Sequence, residues 1–344
     1  MEMTFRWYGK DDSVTLANIR QIPNITGVVS AIYDIAVGQE WPLKRIEELV
    51  AEVNKYDLKL EVIESVPVHE DIKLKRGAYQ TYIDNYKQTI RNLAKCGIKC
   101  ICYNFMPVFD WTRSSVDHLL ADGSQTLVYY KNEIEKLDPT KLALPGWDAS
   151  YQLEEVNELM EAYRKLGEEG LWDNLEYFVK QIMPVAKECN IKMAIHPDDP
   201  PWPIFNLPRI ITNQKNIDRF LSLYDDSCHG ITLCSGSLGC SLDNDVVALI
   251  NRYGKQKRIH FAHLRNVKIL TDGSFEETAH LSKCGSLDMA AIIKALIEVD
   301  FEGYIRPDHG RMIWNEQGKP GYGLYDRALG AMYLSGIIDG LKYK

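Results

Sequence analysis

Residues 230–264 read GITLCSGSLGCSLDNDVVALINRYGKQKRIHFAHL, and this stretch decides the fold. It begins with an apolar, β-branched run at Gly230–Ser235, continues through an amphipathic segment at Asn244–Tyr253 and ends with a second apolar run at Arg258–Leu264. The two runs have the length and composition of buried strands, and the segment between them has the pattern of a helix. A strand, a helix and a second strand in succession predict a parallel sheet covered by helices.

The same alternation continues on both sides of this stretch. Six further apolar runs occur at Phe5–Gly9, Gly27–Tyr33, Leu58–Val66, Cys100–Phe105, Lys192–His196 and Gly303–Pro307. Further amphipathic segments occur at Pro42–Tyr56, Tyr79–Lys95, Leu175–Glu188 and Leu287–Val299. Eight strands that alternate with helices favour a closed (β/α)8 TIM barrel over a doubly wound sheet, and no GxGxxG follows the first run to indicate nucleotide binding. We therefore predict a single barrel domain over residues 1–344.

One interval is longer than a barrel loop needs to be. Residues 106–172 separate the fourth predicted strand from the next barrel helix, whereas βα loops usually have about 2–6 residues. The interval contains several aromatic residues and a helical pattern of its own near Leu153–Leu166. We predict an ordered insertion after strand 4 that serves as a lid or as an oligomer contact, for example in a homodimer.

Composition excludes several classes of function. The chain has 344 residues, 45% of them hydrophobic, and 40 Lys and Arg against 48 Asp and Glu give a net charge of −8, which disfavours nucleic acid as a partner. The amino-terminal sequence MEMTFRWYGKDD does not resemble a leader, and no run of about 18 apolar residues predicts a membrane span. We expect a cytoplasmic protein whose eight cysteines, which form no CxxC pair, are mostly buried thiols.

Four consecutive predicted strands, the fifth to the eighth, end on residues that bind metals. They are His196 in AIHPDDPP, Cys234 in TLCSGS, His263 in HFAHLRN and Asp308 in IRPDHG. Neighbouring strands lie about 4.8 Å apart, so these side chains can converge at the carboxyl end of the barrel. Two imidazoles, a thiolate and a carboxylate suit one divalent cation, and on the ligands alone zinc or iron(II) rank ahead of manganese(II) and cobalt.

Acid–base and substrate-binding groups are expected near the metal. His309 beside Asp308 is a candidate general acid or base, although it could instead only orient Asp308. Tyr322 and Tyr325 follow the last strand on the same face. Candidates for contacts with the substrate are Asn104, Arg306 and Arg265, of which Arg265 is a potential carboxylate clamp. Strand parity turns His260 away from His263, towards the helices.

At these residues the sequence resembles the mannonate dehydratase family. The segments that carry the resemblance are FRWYG, TGVVSAIY, ESVPVHEDIK, CYNFMPVFDWTR, HPDDPPWPI, LCSGSLG, HFAHLRN, RPDHG and PGYG. They extend from the first strand to the last, and the resemblance implies a xylose-isomerase-like barrel. It also implies loss of water from D-mannonate to give 2-keto-3-deoxy-D-gluconate in glucuronate catabolism. Carried over to this chain, it makes His196, Cys234, His263 and Asp308 ligands of Mn²⁺ or Fe²⁺ and gives the acid–base roles to His309 and Tyr322.

Other functions remain open at this point. A divalent-metal-dependent sugar isomerase or epimerase is the main alternative, because similar barrels handle ketoses with a metal ion. A metal-bearing sensor without turnover is disfavoured by the predicted acid–base pair beside the ligands. A metal-dependent nuclease is disfavoured by the negative charge of the chain.

Overall fold

Eight of the twelve strands in the described part of the chain close into a parallel barrel. The computed structural model describes residues 1–137, 139 and 153–342. In chain order the strands are β1 (Glu2–Arg6), β2 (Gly27–Ser30), β3 (Lys59–Glu64), β4 (Cys100–Tyr103), β5 (Ser115–Leu119), β6 (Gln125–Tyr129), β7 (Lys192–Ile195), β8 (His229–Cys234), β9 (Ile259–Leu264), β10 (Asn266–Ile269), β11 (Phe275–Thr278) and β12 (Tyr304–Pro307). The order around the barrel is β1-β12-β9-β8-β7-β4-β3-β2. The predicted closed barrel is therefore confirmed, with all eight runs in it.

Helices cover the outside of the barrel. They are α1 (Leu16–Arg20), α2 (Leu43–Asn54), α3 (Glu70–Leu74), α4 (Tyr79–Lys95), α5 (Lys131–Ile134), α6 (Leu153–Glu188), α7 (Gln214–Ser222), α8 (Ser235–Gly239), α9 (Val246–Lys255), α10 (Met289–Glu298) and α11 (Tyr325–Lys342). In α4, Ile83, Tyr86, Ile90 and Leu93 recur at a spacing of three or four residues and are all buried. None of the helices in the described ranges is both long and apolar enough to cross a bilayer.

The barrel interior and the helix-facing layer are filled by alternate residues of the strands. Val29, Val62, Cys102, Ala194 and Phe261 belong to one small cluster inside the barrel. Small and β-branched side chains fit this narrow space, and the larger apolar residues pack outside it against the helices. Because side chains alternate along a strand, Phe261 and His263 share the interior face, and His260 lies on the opposite face of β9.

A second sheet lies beside the barrel, and the sequence did not predict it. Its strand order is β10-β11-β6-β5, and every pair in it is antiparallel. The β5–β6 hairpin comes from the predicted insertion, whereas β10 and β11 come from the segment after β9. These strands are short and their register is interrupted between Ser115 and His118, so their sequences carry little period-2 alternation.

The described part of the insertion therefore consists of the β5–β6 hairpin, α5 and the first half of α6. Residues 138 and 140–152 of the predicted 106–172 segment lie outside the described residues. α6 continues past the predicted boundary to Glu188 and is interrupted at Gly167, whose φ of 69° lies in the region that favours glycine. The structure places one face of the insertion at the barrel mouth, where Asp110 and Trp111 line the central cavity.

Candidate active site and metal centre

A cavity of about 520 Å³ opens at the carboxyl ends of the barrel strands. Its polar walls are formed by Arg6, Tyr8, Tyr33, Glu64, Ser65, Asn104, Asp110, Asp199, His196, His263, Arg306, Asp308, His309, Lys319 and Tyr322. Active sites of (β/α)8 barrels lie at this end because the loops that follow the strands meet there. The cavity has the size of a site for a small metabolite.

Three of the predicted ligands meet at the cavity floor. One donor atom each from His196, Cys234 and His263 lies within 4.8 Å of the other two. The Nε2 atom of His196 is 3.1 Å from Nδ1 of His263. The other ring nitrogen of His196, Nδ1, donates to the Pro197 carbonyl at 2.7 Å, which turns Nε2 towards the cluster. The strand ends thus bring two imidazoles and a thiol together.

The Cys234 sulfur is held in a form that can bind a cation. The backbone amide and the hydroxyl of Ser237 donate to Sγ at 3.3 and 3.0 Å, because Cys234 is the N-cap of α8. Burial opposes ionisation of this thiol, but the Arg265 guanidinium and the two imidazoles outweigh it and lower the pKa of Cys234 to about 5. Cys234 is therefore a thiolate at neutral pH.

Asp308 lies next to the three donors. Its Oδ1 atom is 3.7 Å from Nδ1 of His263, and its Oδ2 atom is 3.5 Å from Sγ of Cys234. Each oxygen also lies near an arginine. Oδ1 is 2.8 Å from Nη1 of Arg306, and Oδ2 is 2.8 Å from Nε of Arg265. Burial opposes its charge, but these cations hold the pKa of Asp308 well below its usual value. The carboxylate is charged and within reach of the cluster.

The donor set fits one divalent cation. Burial alone would lower the pKa of His196, but the surrounding charges of Cys234, Glu64 and Asp308 raise it to about 9. This excess of negative charge is what a metal ion would offset, and metal binding would displace that proton. The residues present thus match a borderline cation bound by nitrogen, sulfur and oxygen.

A second group of possible ligands, Glu64, Cys102 and His263, is less suited to a metal. Both Glu64 oxygens accept from Arg306, at 3.0 and 3.2 Å. Burial and the Glu64 charge raise the pKa of Cys102 well above its usual value, and Thr232 donates to its sulfur at 3.2 Å. Cys102 is therefore a neutral thiol, in contrast to the Cys234 thiolate.

His309 and Tyr322 form a hydrogen-bonded pair on the cavity wall. The Nε2 atom of His309 is 2.9 Å from the Tyr322 hydroxyl, and Nδ1 donates to Oε2 of Glu277 at 2.8 Å. The chain bends after Pro307, where β12 ends, so His309 and Asp308 both face the cavity. Burial and the Tyr8 phenol raise the pKa of Tyr322 well above its usual value. Tyr322 therefore carries its proton at neutral pH.

Arg265 has a different place from the predicted one. It does not line the cavity but lies behind Asp308, with Nη2 2.7 Å from Asp199 and Nη1 against Glu277. Three carboxylates already occupy its guanidinium, so it has no free edge for a substrate carboxylate. We therefore reassign Arg265 from substrate binding to holding Asp308 in position.

The other predicted contacts are divided between the cavity and the surface. Asn104 and Arg306 line the cavity, and Arg306 is paired there with Glu64 and Asp308. Tyr325 does not line it; this side chain is 42% exposed at the start of α11. Of the two candidate tyrosines, Tyr322 and Tyr325, only Tyr322 lines the cavity.

Sequence reasoning missed two buried residues of the site, Glu277 and Arg113. Glu277 lies on β11 and contacts His309. Burial raises the pKa of Glu277, but the Arg265 guanidinium outweighs this effect and lowers the pKa to about 2. Arg113 is fully buried, donates to Asp199 at 2.9 Å and faces Glu277 at 2.6 Å. Both lie in or next to the second sheet. They could not be predicted from the ends of the barrel strands, which were the basis for the other site residues. A charged residue within an otherwise buried short strand was the available signal.

The whole chain, residues 1–344, matches the family described as D-mannonate dehydratase (UxuA). The chain belongs to the mannonate dehydratase family. A mannonate dehydratase 2 of Halalkalibacterium halodurans is 58% identical over 343 residues, which cover 99% of both chains. The mannonate dehydratase of Streptococcus suis serotype 2 superposes with a TM-score of 0.93 at 51% identity and covers 99% of this chain and 94% of its own. The family is metal-dependent.

More distant structures share the fold only. A D-psicose 3-epimerase from Clostridium cellulolyticum H10 superposes with a TM-score of 0.57 at 12% identity, covering 100% of this chain and 99% of its own. This likeness confirms the predicted xylose-isomerase-like barrel. It does not argue for an epimerase, because barrels of one fold support many reactions.

Proposed function

We propose that this chain removes water from D-mannonate to give 2-keto-3-deoxy-D-gluconate, with His196, Cys234, His263 and Asp308 as ligands of a single Mn²⁺ or Fe²⁺. The observation that carries the proposal is the meeting of three predicted donors within 4.8 Å, beside a hydrogen-bonded histidine and tyrosine. Membership of the mannonate dehydratase family supports the substrate and the reaction.

The reaction needs a base for the C2 proton and an acid for the departing C3 hydroxyl. A divalent cation bound at this site would supply Lewis-acid stabilisation of the negative charge that develops when the C2 proton leaves. The C2 proton goes to the base, the C3 hydroxyl leaves as water with a proton from the acid, and the enol that remains tautomerises to the ketone. Two proton-transferring groups on the cavity wall meet this need.

His309 and Tyr322 are the groups we assign to these roles. They face the same cavity as the ligands, and the 2.9 Å contact between them allows a proton to pass from one to the other. Glu277 fixes the ring of His309, because a carboxylate that accepts from Nδ1 leaves Nε2 directed at Tyr322. Trp111 also lines the cavity, and its ring centroid lies 5.6 Å from that of His309.

Asn104 and Arg306 complete the site as contacts for the substrate. Asn104 follows β4 on the wall opposite β12, where its amide can meet a sugar hydroxyl. Arg306 lines the cavity between Glu64 and Asp308 and forms ion pairs with both.

The direct test is conversion of D-mannonate by metal-restored protein, with product identified by NMR. Tyr322→Phe removes the hydroxyl in the site, and Tyr325→Phe is the matched control because Tyr325 lies outside the cavity. We expect Tyr322→Phe to lose turnover and Tyr325→Phe to keep it. Turnover of a ketose, without turnover of D-mannonate, would replace the proposal with an isomerase or epimerase.

A further inference from the structure

Three positively charged side chains other than histidine line the described part of the cavity: Arg6, Arg306 and Lys319. Arg306 is paired with Glu64 and Asp308. Arg306 donates to Glu64 through Nε and Nη2, whereas no described residue accepts a hydrogen bond from Nε or Nη1 of Arg6, although Arg6 is only 6% exposed. Buried guanidinium groups are normally hydrogen-bonded to an acceptor. Arg6 therefore brings two buried nitrogen donors to the cavity for which the described residues provide no acceptor.

The position of Arg6 places this cation in the active site. Arg6 is the last residue of β1, at the carboxyl end of the barrel strands, and it lines the cavity. The carbon of its guanidinium group is 4.6 Å from the centre of the Tyr8 ring. That ring in turn lies 4.9 Å from the ring of Tyr322. Arg6 thus lies on the same wall as the proposed acid–base pair.

Lys319 adds a second positive charge to this wall. Its Nζ atom is 3.9 Å from the centre of the Tyr8 ring and 5.8 Å from that of Tyr322, and the side chain is exposed. Arg6 and Lys319 both flank Tyr8, with Arg6 buried at the barrel end and Lys319 at the loop after β12. Tyr8 holds the two cations beside one part of the cavity.

We propose that Arg6, together with Lys319, binds the carboxylate of the sugar acid and thereby selects an acid over a neutral sugar of the same length. The inference rests on the proposed function, since it names the part of that substrate that Arg6 contacts. A sugar acid carries one ionised group, and a carboxylate is the acceptor that a guanidinium matches best. The hydroxyls of the substrate remain for the opposite wall, where Asn104 and Asp110 line the cavity.

The test compares two ligands that differ only at C1, D-mannonate and D-mannitol. For wild type, Arg6→Gln, Arg6→Lys and Lys319→Met, the KM of D-mannonate and the inhibition constant of D-mannitol are measured on metal-loaded protein. We expect Arg6→Gln to raise the KM of D-mannonate roughly 10- to 10²-fold, the usual effect of losing a hydrogen bond to a charged group. Arg6→Lys should recover part of this loss, and Lys319→Met should show a smaller one. The affinity for D-mannitol should stay within about threefold by the same argument.

Metal content and the thermal midpoint of each variant show that the barrel is intact, and Arg20→Gln, on an exposed ion pair with Asp57, is the control. An equal loss for D-mannonate and D-mannitol would assign Arg6 to a hydroxyl or to structure and overturn the proposal. An unchanged KM for D-mannonate in both Arg6 variants would also overturn it. Should wild type bind D-mannonate without dehydrating it, the proposed function fails, and calorimetric binding of the same ligands still tests Arg6.

Discussion

The imidazole of His309 lies between the Tyr322 hydroxyl and the Glu277 carboxylate, with Nε2 2.9 Å from the tyrosine oxygen. The three residues come from the loop after β12, from its continuation before α11 and from β11. The second sheet thus supplies the group that orients a side chain of the barrel's active face.

His309→Asn and Tyr322→Phe should both retain the metal and lose turnover. We expect a loss of roughly 10²-fold or more in kcat, the usual scale for removal of a general acid or base. Exchange of the C2 hydrogen of D-mannonate with solvent deuterium, followed by NMR, separates the two roles. The variant that lacks the base should not exchange, whereas the one that lacks the acid can exchange without losing water. Normal dehydration by both variants would exclude this pair as the acid and base.

Glu277→Gln should lower kcat per bound metal at least about 10-fold while KM changes little, because the imidazole loses the charged partner that fixes its tautomer. Glu277→Asp should recover part of the rate. Glu276→Gln is the matched control, since Glu276 lies next in the strand and accepts from Tyr130 instead. Steady-state kinetics with metal analysis checks this. A normal kcat in Glu277→Gln, with the fold intact, would show that His309 needs no carboxylate partner.

The four proposed ligands should act as one set. Cys234→Ser, His196→Ala, His263→Ala and Asp308→Ala should each lower metal content and activity together, because each removes a bond from a different strand. Metal analysis and circular dichroism of the purified variants measure both properties. Cys240→Ser is a control for the thiol, as Cys240 is buried outside the cluster. A variant with wild-type metal stoichiometry would remove its residue from the set.

Two histidines far from the metal should make stability depend on pH. Burial, together with the charge of Arg258, lowers the pKa of His229 to about 4. Burial, together with the charges of Lys192 and Arg258, lowers the pKa of His260 to about 3. Between about pH 6.5 and pH 4 the unfolded chain binds these protons and the folded chain does not. The free energy of unfolding should therefore be highest above pH 6.5 and fall on acidification, by up to about 1.4 kcal/mol per pH unit for each histidine.

Urea unfolding at pH 7.5 and pH 5 measures this dependence. The variant His229→Gln, His260→Gln should lose less stability on acidification than wild type, because it lacks the two protons taken up on unfolding. Turnover of His260→Gln at neutral pH should stay close to normal, since His260 lies on the face of β9 opposite His263. An identical pH dependence in both proteins would contradict the burial of these histidines in the neutral form.

The sequence was sufficient for the barrel and for the convergence of three candidate ligands, for a physical reason. Runs such as Ile259–Leu264 are buried on both faces, so their apolar residues are continuous and visible. Parallel strands also end at one edge, which makes His196, Cys234 and His263 converge whatever the loops do. The first strand was placed three residues late, because Trp7 remains buried after β1 has ended at Arg6.

The second sheet, and the side chains that its residues contact, could not be predicted from apolar runs or from strand ends. Whether Arg265 faces a substrate or a carboxylate depends on Glu277 and Asp199, which reach it from other parts of the chain. The sequence indicated that Arg265 could bind a carboxylate, but it could not show which carboxylates lie beside it. Arg6 was not predicted for the same reason. Its position in a short buried strand does not show that its side chain lines a cavity.

Metal-dependent dehydration of D-mannonate is tested by measuring its conversion by one protein sample before and after metal replacement. The sample is stripped with a chelator, assayed, reloaded with Mn²⁺ or Fe²⁺ to one ion per chain and assayed again, with product identified by NMR. We expect no 2-keto-3-deoxy-D-gluconate from the stripped protein and its formation after reloading, whereas Cys234→Ser should not recover activity. Equal turnover by the stripped and the reloaded protein would contradict the proposed metal-dependent dehydration. Absence of turnover by the reloaded protein, with one metal ion bound per chain, would also contradict it.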